Sequence, residues 1–254
     1  MKIKIIKLGG SLITDENSRN KFHSSNTRRI AQQLYEFYPG TILVHGSGRV
    51  GKPPAVKYGY VESGKLGRDM KFVGLKIKNQ IHKLNQNFLS SFISESIPVQ
   101  SITQWQLMGS GFYVSKQKIL EIVQTGFVPV LFGDFVIQKD GSFKVISSDV
   151  ICYFIAKILC PDKLIFLTDV DGVYDNGLPP NLIREINHMN YASVTIDNDP
   201  KDVSGGMSNK IKLAFKSSRY CKTCFIGNGT IPGLLMEILQ GHKVRGTYIS
   251  SSKP

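Results

Sequence analysis

The sequence predicts an α/β chain assembled from βαβ units, and three observations carry that expectation. Short apolar runs of strand length recur: Ile3 to Leu8, Thr41 to Val44, Val128 to Phe132 and Leu164 to Thr168. Each runs into a polar turn rich in glycine or aspartate: Gly9-Gly10, His45-Gly46, Gly133-Asp134 and Asp169. Between them lie amphipathic helical patterns. The longest spans Asp69 to Ile93, with Met70, Val73, Ile77, Ile81, Leu84 and Phe88 at spacings of three and four. At 254 residues and 41% hydrophobic, the chain suits one large domain or two small lobes.

Lys7-Leu8-Gly9-Gly10-Ser11 closes the first strand. Glycines let backbone N–H groups approach an anion, Ser11 adds a hydroxyl and Lys7 a charge. The stretch is read either as a phosphate cradle or as a tight strand-to-loop turn. A polar loop follows, then a helix with Ser24 or Ser25 as its cap and Ile30, Leu34 and Phe37 on one face. Pro39-Gly40 stops it. The second strand enters His45-Gly46-Ser47-Gly48-Arg49-Val50-Gly51-Lys52-Pro53-Pro54, read as a glycine-rich basic loop. Two such loops in a βαβ frame open at the carboxyl edge of the sheet, where ligands bind. His45 is read as bonding to backbone rather than as a catalyst. Lys52 follows three glycines and suits a phosphate-binding point charge, with an exposed loop lysine as the alternative.

On the long helix, Lys71, Lys76, Lys78 and Lys83 lie largely off the apolar stripe. Trp105, Leu107 and Met108 sit in a glycine-punctuated loop and are candidates for an acceptor pocket. Ser115 to Gln124 reads as a helix stopped by Gly126. Phe135 to Gln138 and Phe143 to Ile146 flank an Asp-Gly turn as a hairpin. Ser147 or Ser148 caps the next helix. Asp149 in its first turn complements the dipole or, functionally, holds two catalytic lysines. Asp169 and Asp171 suit Mg²⁺, a ribose or plain turns. The polar stretch 195–206 reads as mobile. Gly205-Gly206 then opens a helix with Lys210 in its early turns, a further anion site. Lys222 to Ile226 is a strand, Pro232 starts a short helix, and Gly246 to Ser250 is the last strand.

The formal charge is +13, from 32 Lys and Arg against 19 Asp and Glu. From Lys52 to Lys83 eight basic residues face only Glu62 and Asp69. Such a balance suits nucleic acid or anionic small molecules. No nucleic-acid-binding signature accompanies it, so no nucleic-acid partner is expected. No apolar run reaches membrane length, no signal-peptide pattern opens the chain, and four cysteines do not form a secreted framework. A cytoplasmic protein without a membrane partner is expected. Cys221-x-x-Cys224 is read as neither a zinc nor a redox site.

The ordered set KLGGSLIT, VHGSGRVGKP, VPVLFGD, ISSD, FLTDVDGVY, DVSGGMSNK and GT-x-I resembles the amino-acid kinase superfamily over essentially the whole chain. Isopentenyl phosphate kinases and fosfomycin kinases are the most similar members. The resemblance implies a three-layer αβα sandwich around a mainly parallel sheet, with an acceptor lobe at 1–146 and a nucleotide lobe at 147–254. It implies ATP and Mg²⁺, a small anionic acceptor and a homodimer. Carried over by motif, Lys7, Asp149 and Lys210 are catalytic, and Lys52 joins them as a charge in place of the usual histidine. Gly9, Gly10, Ser11, Thr168, Asp169, Asp171, Gly172, Val173, Tyr174, Gly205, Gly206 and Met207 border the nucleotide. Gly46, Ser47, Gly48, Gly51, Gly133 and Asp134 hold the acceptor.

Two positions depart from that pattern. Lys52 stands where these kinases usually carry histidine, and Asp15-Glu16 stand where a lysine usually follows GGS-x-I-T, with Lys21 further along. The expected activity is phosphoryl transfer from ATP to a phosphate monoester or phosphonate, isopentenyl phosphate foremost. Kinases of other small metabolites and a non-catalytic nucleotide sensor are the alternatives.

Overall fold

The computed structural model describes residues 2–15, 21–60, 65–103, 115–176, 180–194 and 206–251, with Lys52 described by its backbone alone. Among these residues the strands are β1 Lys4–Leu8, β2 Thr41–His45, β3 Val99–Ser101, β4 Val128–Phe132, β5 Asp134–Ile137, β6 Phe143–Ile146, β7 Lys163–Thr168, β8 Val173–Tyr174, β9 Leu182–Ile183, β10 Glu185–Ile186, β11 Thr223–Asn228 and β12 Thr247–Ile249. The helices are α1 Gly10–Ile13, α2 Ser24–Leu34, α3 Gly48–Lys57, α4 Lys71–Ile93, α5 Lys116–Gln124, α6 Ser148–Leu159, α7 Gly206–Ser218 and α8 Leu234–Gln240.

Eight strands form one sheet in the order β10-β12-β11-β7-β1-β2-β4-β3. All neighbours are parallel except β11 and β12. β1 is central, paired with β2 on one side and β7 on the other. The chain therefore reverses its direction of growth across the sheet beside β1, the switch point at which such sheets bind ligands. The sheet runs unbroken across both sides of residue 146.

Strand alternation sends successive side chains to opposite faces. Ile6, Leu8, Leu43, Ile165 and Leu167 pack against α2, α4 and α8. Ile5, Ile42, Val44, Leu164 and Phe166 pack against α5, α6 and α7. Helices thus cover both faces, which explains why the central strands are mostly apolar on both.

Three local expectations are corrected. His23, not Ser24 or Ser25, caps α2: its ring accepts from the Asn26 N–H. The basic loop after β2 is largely helix α3, despite Pro53 and Pro54 inside it. They are its sixth and seventh residues, past the first turn, so the helix lacks two of its N–H donors there. The turn after β1 continues into the single helical turn α1, closed by Thr14, whose hydroxyl and N–H both donate to the Gly10 carbonyl.

The two glycine turns interlock. A Cβ on Gly10 would land on Gly48 Cα and N, well inside van der Waals contact, and one on Gly46 would lie 2.8 Å from Gly10 N. Backbone meets backbone there, with no flexible side chain to yield. Gly10→Ala is expected to cost about 2–3 kcal/mol by overpacking. Gly126→Ala should cost only about 1 kcal/mol for its left-handed backbone, since its Cβ would enter open space. Urea unfolding of both variants checks this; equal losses would contradict the interlock.

Candidate active site

A cleft of about 330 Å³ opens at the carboxyl ends of β1, β2, β4 and β7. Its floor is a charged triad brought together from three elements. Lys7 lies two residues after Ile5 on β1, so alternation turns it toward α6 and α7. There Asp149, in the first turn of α6, meets it: Lys7 Nζ is 3.1 Å from Asp149 Oδ1, an ion pair without the alignment of a hydrogen bond. Lys210 of α7 donates to Asp149 Oδ2 at 3.4 Å. Lys7 is 3% and Asp149 5% exposed, so the charges stand in a low-dielectric setting. Ser147 caps α6 by accepting from the Val150 N–H, which fixes the turn that carries Asp149.

Burial alone would raise the Asp149 pKa, but the charges of Lys210 and Lys7 overcome it and hold the carboxyl well below the usual range. Burial likewise pulls the Lys7 ammonium down, and the Asp149 charge together with the smaller contributions of its other neighbours outweighs it, leaving a net rise. Lys7 and Asp149 are both ionised at neutral pH.

The cleft wall brings together Gly9, Gly10, Ser11, Gly46, Ser47, Gly48, Gly51, Gly133, Asp134, Thr168, Gly206 and Met207 with the triad. Asp169 lies beside it, accepting from the Ser11 hydroxyl at 2.8 Å and the Thr168 hydroxyl at 3.1 Å. The rest of the aspartate-rich turn is not in the wall. Asp171 pairs with Arg245 at 2.5 Å and accepts from Asn228 at 3.0 Å, contacts that lower its pKa. Gly172 packs on Thr247, and the fully buried Val173 donates its N–H to the Thr247 hydroxyl. Tyr174 pairs with Leu182 in a small hairpin. Gly205, Glu16, Trp105, Leu107, Met108, residues 195–204 and the Lys52 side chain lie outside the described residues. His45 is buried and bonds the Gly46 carbonyl.

Some of the site was not anticipated. Lys78 reaches from α4 to pair with Asp134, and His82, one turn on, approaches the same carboxylate at 3.1 Å. Their spacing of four on one helix face is the signal that was available. Ile81, Phe135, Val145 and Ile146 give the cleft an apolar side. Among the described residues, no group of three or more His, Cys, Asp or Glu is placed to hold a metal. Cys224 instead donates to the Ala214 carbonyl, and Cys221 to that of Ser217. No described helix is long and apolar enough to cross a membrane.

Asp149 ties pH to stability. With its folded pKa depressed, its contribution is fully present above the unfolded value of about 4 and is lost as pH falls through the folded value. The raised Lys7 pKa sets the opposite limit, with loss only as pH rises past about 10. Asp149→Asn leaves a buried ammonium without its counter-charge and should cost about 3–5 kcal/mol near pH 7. In thermal unfolding across a pH series, its gap from wild type should narrow below about pH 4. A gap unchanged down to pH 2 would contradict the pairing.

A model of the amino acid kinase family matches residues 2–228. The chain is 30% identical to the isopentenyl phosphate kinase of Methanocaldococcus jannaschii, over 99% of this chain and 100% of that one. It is also 30% identical to the isopentenyl phosphate kinase of Methanothermobacter thermautotrophicus, over 97% and 98%. A solved isopentenyl phosphate kinase structure superposes with a TM-score of 0.82 at 28% identity, covering 98% of this chain and 100% of that one.

Proposed function

The chain belongs to the amino acid kinase family, and on that premise we propose that it is an ATP-dependent kinase of a phosphate monoester or phosphonate, isopentenyl phosphate foremost. The observation that carries this reading is the Lys7–Asp149–Lys210 triad beneath two interlocked glycine turns. An acceptor that is already a phosphate needs no general base. Its oxygen attacks the γ-phosphorus, the bond from that phosphorus to the β–γ bridging oxygen breaks, and ADP leaves. Alignment and positive charge are what the reaction demands.

In this reading the nucleotide phosphates lie over Gly9, Gly10, Ser11, Gly206 and Met207, with Thr168 and Asp169 at the edge. The acceptor anion lies against Gly46, Ser47, Gly48 and Gly51. Lys7 and Lys210 bracket the migrating group, and Asp149 holds them apart at fixed positions. Ile81, Phe135, Val145 and Ile146 offer an apolar wall to the hydrocarbon of the ester. Residues 1–146 then serve mainly the acceptor and 147–254 mainly the nucleotide. Lys52 is assigned to the acceptor from its place after the glycines of that loop, at a position where these kinases usually carry histidine.

Mg²⁺ enters with the nucleotide. It commonly keeps several waters and binds through one or two carboxylates plus substrate phosphates, so a protein cage is not required. Asp169, tied to Ser11 at the cradle, fits that donor set. When bound, the ion neutralises charge on the phosphates.

Lys210→Ala should lower kcat by roughly two to four orders of magnitude while the KM for ATP changes little. ADP release should be measured with isopentenyl phosphate, its dephosphorylated alcohol and short alkyl phosphonates. A better rate on the alcohol, or a wild-type rate in Lys210→Ala, would overturn the reading.

A further inference from the structure

We infer that His45 is a positioning residue that aims the Ser47 backbone N–H into the cleft. The inference rests on, and deepens, the reading of Gly46 to Gly48 as the acceptor's phosphate site. His45 ends β2 and is fully buried, with ring centroids 4.6 Å from Phe88 and 5.4 Å from Phe132. Its Nδ1 lies 3.0 Å from the Gly46 carbonyl oxygen, and its Nε2 lies 3.1 Å from the Asn85 carboxamide. That carboxamide lies 2.9 Å from Ser101 Oγ.

The hydrogens follow from the acceptors. A carbonyl oxygen only accepts, so Nδ1 carries the proton. Burial disfavours the charged ring, so Nε2 is the acceptor. As placed, the carboxamide turns Oδ1 to Nε2 and Nδ2 to Ser101 Oγ; the neutral ring calls for these two atoms exchanged, with the amide group at Nε2 and the oxygen at the Ser101 hydroxyl. Each polar atom of the chain His45–Asn85–Ser101 has a complementary partner, and the tautomer is set.

The consequence is geometric. In a planar trans peptide the C=O and the following N–H point in opposite directions. The Gly46 N–H is taken by the Leu8 carbonyl, and the His45 carbonyl by the Gly133 N–H. The Gly46 carbonyl is turned inward onto the His45 ring. The Ser47 N–H is therefore turned away from the core, where Ser47 lines the cleft. Among the described residues no acceptor is paired with it. A donor at that point suits a phosphate oxygen. Without the imidazole, a glycine-flanked peptide is free to rotate and take the donor away.

Two substitutions separate positioning from packing. Asparagine places an N–H close to the position of Nδ1, whereas glutamine reaches toward that of Nε2. Both remove the aromatic ring. With isopentenyl phosphate, His45→Asn should keep an acceptor KM near wild type, and His45→Gln should raise it roughly tenfold, the effect of losing about one aligned hydrogen bond to a charged group. The KM for ATP should be alike in both, and thermal stability should fall alike in both. Equal acceptor KM values, or losses that track stability, would overturn the inference. A second measurement needs no variant and no turnover: the Ser47 amide proton, followed by NMR in the wild-type chain, should shift downfield as inorganic phosphate is added. If no phosphate monoester is turned over yet this amide shifts, the kinase reading fails and the positioning holds. If turnover is seen and the amide does not respond, the positioning fails alone.

Discussion

The site depends on one buried carboxylate. Lys7 sits on the central strand of the sheet, where a lone ammonium would lose its hydration and tend to shed its proton. Asp149 removes that problem and does so for two lysines at once. Because it is held by the capped first turn of α6, the carboxylate cannot wander to one partner. The result is a net positive floor whose charges are fixed before any ligand arrives. Preorganised charge of this kind costs nothing at the moment of reaction, which is where its value to phosphoryl transfer lies.

The second constraint is steric. Gly10, Gly46 and Gly48 are small because two backbones cross where they meet, not only because a phosphate must approach. The same contact that forbids side chains there leaves bare backbone along the cleft wall. Packing and ligand recognition therefore make the same demand on the same residues. Asp134 does a parallel service at the start of β5, drawing Lys78 and His82 of α4 onto one carboxylate of the cleft wall.

Much of this was legible in the sequence, and the exceptions are instructive. The central strands were readable because buried parallel strands are continuous apolar runs bounded by glycine and aspartate, whereas β3, β8, β9 and β10, two or three residues each, are too short to show a pattern. Lys7, Asp149 and Lys210 stand in ordered motifs and do meet in space. The stretch Gly48 to Lys57 was misread because two prolines and two glycines outweigh any periodicity in ten residues, while its helical form is imposed by packing against α4. His23 was missed as a cap because two serines follow it at once. Lys78 looked like part of a solvated face, since only the fold could bring β5 to it. The DVDGVY turn divided: Asp169 joins the cradle, whereas Gly172 and Val173 answer to Thr247 and the packing of β12.

The pairing of β1 also has a consequence in time. It is the first strand of the chain, yet one of its two neighbours, β7, lies about 160 residues further on. A ribosome delivers β1 and β2 early and must then supply most of the remaining chain before the other edge of β1 can be covered. Contacts at such separation are slow to form, and an uncovered apolar strand is prone to join another chain. Lys7 must wait through the same interval for Asp149. Assembly of this floor is a late event in the life of each new molecule, and the nascent N-terminal half is the part with most need of shelter from its neighbours.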